Sequence, residues 1–179
     1  MNKIWQFVAQ GLFIFFASLF LASCSSPMQQ PVDPEVIRST KIVDLSQKLE
    51  SMGARVIQTG QTLQIILPSD ELFALHSANF TDFSSTMLDV VSRLMAILET
   101  TSAQVAAYTD AEPDALRSKA LATRQAEVVA DYLWSKGLDT RMLYSVGYSS
   151  INHVNADLPG SLGIGANRRV EIKFQYLSL

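Results

Sequence analysis

The chain has 179 residues, 48% of them hydrophobic, with 14 Lys and Arg against 17 Asp and Glu and a formal net charge of −3. That length suits one domain with a short appendage, and the apolar share is large enough to build a core. No block of basic residues occurs, which excludes nucleic acid as an expected partner.

The N-terminus opens with Lys3, followed by an apolar run from Gly11 to Ala22 that ends in Leu21-Ala22-Ser23-Cys24. A basic start, a short apolar stretch and small residues at its end make a secretory signal. The run is too short for a bilayer, which takes ~20 apolar residues. Leu-Ala-Ser-Cys matches the bacterial lipobox, so cleavage is expected before Cys24, with acyl chains on that residue. Cys24 is the only cysteine, so no disulfide can form within the chain. Residue 25 is Ser rather than the Asp that retains enteric lipoproteins in the inner membrane, which points to the outer membrane, facing the periplasm. Cleavage removes 23 residues and one Lys, leaving 156 residues with 13 basic and 17 acidic side chains, a net charge of −4.

Residues 24–35 read as a tether. Ser25 to Pro34 holds three prolines among polar residues, a semi-rigid composition that reaches roughly 30 Å at ~3.1 Å per residue. Ile42, Leu45, Leu49 and Met52 recur at helical spacing and predict a leading helix over 36–53, closed by Gly53. Residues 54–179 form the expected domain. Ala54–Ile57 and Leu63–Leu67 read as strands of a hairpin around Thr59-Gly60-Gln61, and Pro68 stops the second. Met87, Val90, Val91, Leu94, Ile97 and Leu98 predict a helix, with Thr81 or Ser84 near its start. Gln104–Thr109 reads as a strand, Ala115–Lys136 as a helix closed by Gly137, and Met142–Tyr148 and Val170–Tyr176 as two further strands. Strands interleaved with helices predict an α/β fold (an α+β sandwich), a mixed β-sheet with helices packed on one face.

Several segments then match one family in order and spacing. Ala107-Tyr108-Thr109-Asp110, Leu121, Val128, Tyr132-Leu133, Gly137, Val146-Gly147-Tyr148 and Asn167-Arg168-Arg169-Val170-Glu171-Ile172 resemble the C-terminal domain shared by OmpA, Pal and MotB. Ile66-Leu67-Pro68-Ser69-Asp70, Leu72-Phe73 and Ser77-Ala78 resemble that domain's first strand and loop, in the manner of the MotB-like branch. The resemblance implies an OmpA-like fold that binds peptidoglycan without catalysis, through the diaminopimelate of the stem peptide. It assigns Asp110 to the ligand's ammonium.

The family's Arg, which meets the ligand carboxylate, lies fifteen residues after that Asp and seven before the Tyr. Both counts arrive at Gln125. At about 100° per residue, Gln125 shares the stripe of Leu121, Val128 and Tyr132, while Arg124 points to the side. Ser118 stands where the family has Asn. A hydrogen bond to a charged group contributes roughly 1.5–3 kcal/mol and a neutral one about 0.5–1.5, so the Arg-to-Gln change weakens any carboxylate grip. Two alternatives stay open. Either Gln125 donates its amide to the ligand with help from Arg124 or Arg117, or the domain has become a protein-binding part. Asn79, in the loop that walls the cleft in relatives, and Arg168 and Arg169, at the start of the last strand, complete the candidate site.

His76 and His153 have no metal-ligand spacing around them, and no metal or cofactor is expected. Gly160–Gly165 follows no strand and opens no helix, so it is not a phosphate loop. No nucleophile elbow occurs, and an enzyme is not expected. The leading expectation is a lipid-anchored module tying the outer membrane to peptidoglycan. The layout of lipobox, tether and single domain is also similar to DotK-type lipoproteins of type IVB secretion systems. A structural subunit of such a machine, bound to other secretion-system subunits, is therefore the second expectation.

Overall fold

In a computed structural model of the chain, the described residues are 33–109, 114–138, 142–148 and 167–177. The segments read as signal peptide and tether up to residue 32, with Cys24, and also Asp110, His153 and residues 160–165, lie outside them. The chain divides into two units, Met1–Val32 and Asp33–Leu179, and the second contains all that follows.

Helix α1 spans Pro34–Ser51. It begins inside the segment read as tether, and the start is built from local chemistry. Pro34 occupies the first turn, where its missing N–H is no loss, and the Asp33 carboxylate accepts the Glu35 N–H at 2.9 Å. Leu49 is fully buried, and Ile42, Leu45 and Met52 pack against the core. Gly53, at φ +87°, turns the chain into β1 (Arg55–Thr59). Strand β2 (Thr62–Pro68) follows after two residues, with Thr59 paired to Thr62. Gly60 at φ +58° supplies the left-handed conformation such a tight hairpin needs.

A single helical turn, α2 (Ser69–Leu72), comes next; it is too short to leave a periodic pattern in the sequence. Helix α3 spans Ser84–Ile97. Both residues expected near its start take part. Thr81 N–H donates to Ser84 Oγ at 2.9 Å, Thr81 Oγ1 donates to Glu71 O at 2.7 Å, and Ser84 Oγ donates to Leu72 O. These bonds fasten α3 to α2. Strand β3 (Thr100–Tyr108) starts four residues earlier than expected, through polar Thr-Thr-Ser that carries no apolar alternation. Helix α4 (Ala115–Ser135) is capped by the Asp114 carboxylate, which accepts from Leu116 and Arg117 N–H. Gly137, at φ +77°, follows its end. Strands β4 (Leu143–Tyr148) and β5 (Arg169–Tyr176) complete the sheet.

The sheet order is β1-β2-β5-β3-β4. Strand β5 enters between β2 and β3, antiparallel to both, while β3 and β4 run parallel with α4 as the intervening helix. This is the mixed sheet expected from the sequence. One face carries Leu63, Ile65 and Leu67 of β2, Val105 and Ala107 of β3, and Val170, Ile172 and Phe174 of β5, all buried. Their every-other-residue spacing places them on the side covered by the helices. Helix α4 presses closely on β4: a Cβ added to Gly147 would lie 2.1 Å from Thr123 N. Only glycine admits that approach.

Candidate functional site

Where β3 ends, Tyr108 and Thr109 open onto a cleft of about 250 Å³. Its other walls are α2 with the loop after it, the middle of α4, and Arg168 just before β5. The register of the central strands makes this wall. Pairing Pro68 with Arg169 sets Arg168 beside Ser69, whose N–H donates to Arg168 O at 3.0 Å. The Arg168 guanidinium then grips Asp70 with two hydrogen bonds, at 2.9 and 2.6 Å. The Arg168 bond holds the Asp70 carboxyl below its usual range, against the opposing effect of partial burial.

The loop from Phe73 to Phe80 closes on itself. Phe73 and Phe80 form a β-bridge with rings stacked at 5.5 Å. Ala74 N–H donates to Asn79 O and Ser77 N–H to Ala74 O, each at 3.0 Å. His76 sits at φ +51°. Gln125 ties the loop to α4: its Nε2 donates to Ser77 O at 2.7 Å. Gln125 is 4% exposed, and among the described residues its Oε1 has no hydrogen-bond donor and the buried Ser69 Oγ, on the same cleft, has no partner. Leaving such a group unsatisfied costs roughly 1–3 kcal/mol. The amide orientation follows from its surroundings, because Ser77 O is an acceptor and only the NH2 end can face it.

Tyr108 stacks on Tyr148 at 5.0 Å, and the Arg169 guanidinium lies 3.9 Å from the centre of the Tyr108 ring. Arg169, itself buried, donates to Glu171 at 2.7 Å. Burial, and next the Glu171 carboxylate, push the Tyr108 hydroxyl up to about 12.

Of the residues singled out in the sequence, Gln125 and Arg168 line the cleft. Arg169 does not; it supports the Tyr108 ring on the opposite face of the sheet from the helices. Arg124 also stands outside the lining, exposed and paired with Glu127 at 3.2 Å, because one residue along a helix is a rotation of about 100°. Ser118 is buried, with Oγ donating to Asp114 O at 3.1 Å, a bond internal to the first turn of α4. Asn79 is exposed and contributes through its main chain. Asp110 lies outside the described residues, directly after Thr109. Sequence reasoning did not select Ser69, Asp70, His76 or Tyr108 as site residues. Asp70 carried one signal, a carboxylate within two residues of a strand-ending proline.

Residues 72–161 match the family model described as OmpA family. The chain belongs to the OmpA family. The matched segment holds α3, β3, α4 and β4, while β1, β2 and β5 of the same sheet lie outside it. A relative, the probable lipoprotein YiaD of Escherichia coli K12, is 25% identical over 128 residues, which cover 72% of this chain and 58% of YiaD. The chain therefore spans little more than half the length of that relative. Among solved structures, the cell wall anchor of the T6SS from Pseudomonas aeruginosa aligns with a TM-score of 0.64 at 24% identity, covering 78% of this chain and 96% of the other. The periplasmic domain of Helicobacter pylori MotB aligns at 0.58 and 23%, covering 75% and 85%. At these identities the two structures share this OmpA-family fold.

Proposed function

We propose that this chain is a lipoprotein of the outer membrane, acylated at Cys24, whose OmpA-family domain binds peptidoglycan non-covalently and so ties the membrane to the wall. One observation carries the reading. The cleft opens at the end of β3, where Thr109 lines it and the chain runs into Asp110, the residue that the resemblance assigns to the stem peptide's ammonium. Its volume, about 250 Å³, suits one side chain of a polymer better than a whole small molecule. The names of two similar proteins support the reading: YiaD is named a probable lipoprotein, and the Pseudomonas aeruginosa structure is the cell wall anchor of a T6SS. The work of the site is recognition, through charge-assisted hydrogen bonds, with no bond made or broken.

The test is a pull-down on purified sacculi. Retention that falls sharply on Asp110→Ala supports wall binding. Absence of retention at any protein concentration sinks it. Loss of membrane association in a Cys24→Ser chain, with fractionation of the two membranes, tests the anchor.

A second reading is a structural subunit of an envelope-spanning secretion system of type IVB, with the domain serving protein–protein contacts. Gln125 favours it, since no guanidinium stands where the family has one, and Arg124 is turned away. Crosslinking to other subunits without retention on sacculi is its expected signature.

A further inference from the structure

We propose that the cleft selects a wall stem peptide whose diamino-acid carboxylate has been converted to a carboxamide, with that carboxamide donating an N–H to Gln125 Oε1. The proposal deepens the peptidoglycan reading and rests on it.

The argument starts from the geometry of one amide. Gln125 borders the cleft, is 4% exposed, and has its Nε2 fixed on Ser77 O at 2.7 Å. Its Oε1 is a buried acceptor with no donor among the described residues. What this side chain lacks is therefore a donor. A carboxylate could accept the second Nε2 N–H, but it has no donor for Oε1 and would set lone pairs against lone pairs there, whereas a carboxamide can accept from the one and donate to the other. An arginine at this position would ask for a carboxylate; the oriented glutamine asks for an N–H.

A charged ammonium is a donor too, but burying a charge calls for an opposing one, and the proposed function gives the stem ammonium to Asp110 rather than to Gln125. Asp70, a carboxylate on the described lining, has both oxygens engaged by Arg168. A neutral donor has no such need, and a primary carboxamide is the smallest change that turns a stem carboxylate into one. Satisfying Oε1 also removes the penalty that the unliganded cleft carries, so the gain appears on binding.

The experiment compares two synthetic stem tripeptides, L-alanyl-γ-D-glutamyl-diaminopimelate as the free acid and as the amide of the side-chain (ε) carboxylate, one of the two that diaminopimelate carries. Binding to the full chain in detergent is followed by calorimetry, with retention on sacculi measured in parallel. The carboxamide is expected to bind about tenfold tighter, the scale of one buried hydrogen bond. Gln125→Met, close in shape but without the acceptor, should erase the preference while the chain stays folded by circular dichroism. Gln125→Arg should reverse it toward the acid.

Equal binding of the two peptides, or tighter binding of the acid, overturns the proposal and leaves the wall-binding reading standing. Binding of neither peptide, with retention on sacculi, overturns the proposal alone. Binding of neither peptide and no retention overturns both. A preference that survives in Gln125→Met also overturns it, because the selecting atom would then lie elsewhere.

Discussion

Gln125 and Ser77 lie 48 positions apart in sequence, and a 2.7 Å hydrogen bond from the glutamine amide to the serine main-chain oxygen joins them. The bond does two things. It clamps the loop between Phe73 and Phe80 to α4, and it fixes which end of the amide remains available.

The clamp predicts a small change in stability and a larger one in local motion. Gln125→Met loses one neutral hydrogen bond, worth about 0.5–1.5 kcal/mol, but also removes the orphaned Oε1. The two effects oppose each other, so urea unfolding should show a net loss below about 1 kcal/mol. Amide exchange at Ser77 and Asn79 should nonetheless quicken, since α4 no longer holds the loop. A loss above about 3 kcal/mol would mean that Gln125 supports the core itself.

Gly147 makes the opposite kind of site. A Cβ there would lie 2.1 Å from Thr123 N and 2.5 Å from Thr123 Cα. Backbone cannot step aside as a flexible side chain can. Gly147→Ala should therefore cost at or above the upper end of the ~1–3 kcal/mol typical of overpacking. Thermal unfolding checks it, and an unchanged midpoint would show that α4 and β4 can separate freely.

The Asp70–Arg168 pair predicts a response to acid. The folded pKa of Asp70 lies below 3.8 because Arg168 bonds to its charged form. The stabilisation is therefore complete above 3.8 and disappears as pH falls through the lower folded value. With side chains 52% and 40% exposed, solvent screening limits the pair to at most about 1 kcal/mol. Asp70→Asn should unfold slightly earlier than the parent in urea at pH 7. The two should converge once acid has protonated Asp70.

Tyr108 predicts a response to alkali. Its hydroxyl is pushed from 10.0 to about 12 in the folded chain. The neutral form is favoured by folding, so the associated stability is intact below 10 and declines as pH rises toward 12. Tyr132 is also raised, first by burial and then by its bond to Asp89. A Tyr108→Phe variant isolates the contribution, and the phenolate absorbance step at highest pH should vanish from its titration. Persistence of that step would assign it to another tyrosine.

The elements were legible because their signals are local. Leu63, Ile65 and Leu67 alternate as a half-buried strand must, Met87 to Leu98 follow a helical period, and Gly60 and Gly137 mark turns that need positive φ. The α/β class and the family's motifs follow from such patterns. Gln125 entered the candidate site through the family resemblance, and helical spacing put it on the face of Leu121 and Tyr132.

Tertiary structure decided what those residues meet. Strand β5, last in sequence, pairs in the middle of the sheet, and that pairing brings Arg168 onto Asp70 across 98 positions. The same register puts Arg169 under Tyr108, on the face away from the helices, although the two arginines are adjacent in sequence. Alternation along a strand sends neighbours to opposite sides, and no local pattern says which partner waits on either side. Gln125 shows the division within one side chain. Its position on α4 follows from helical period, but the direction of its amide follows from Ser77, a main-chain oxygen on a distant loop.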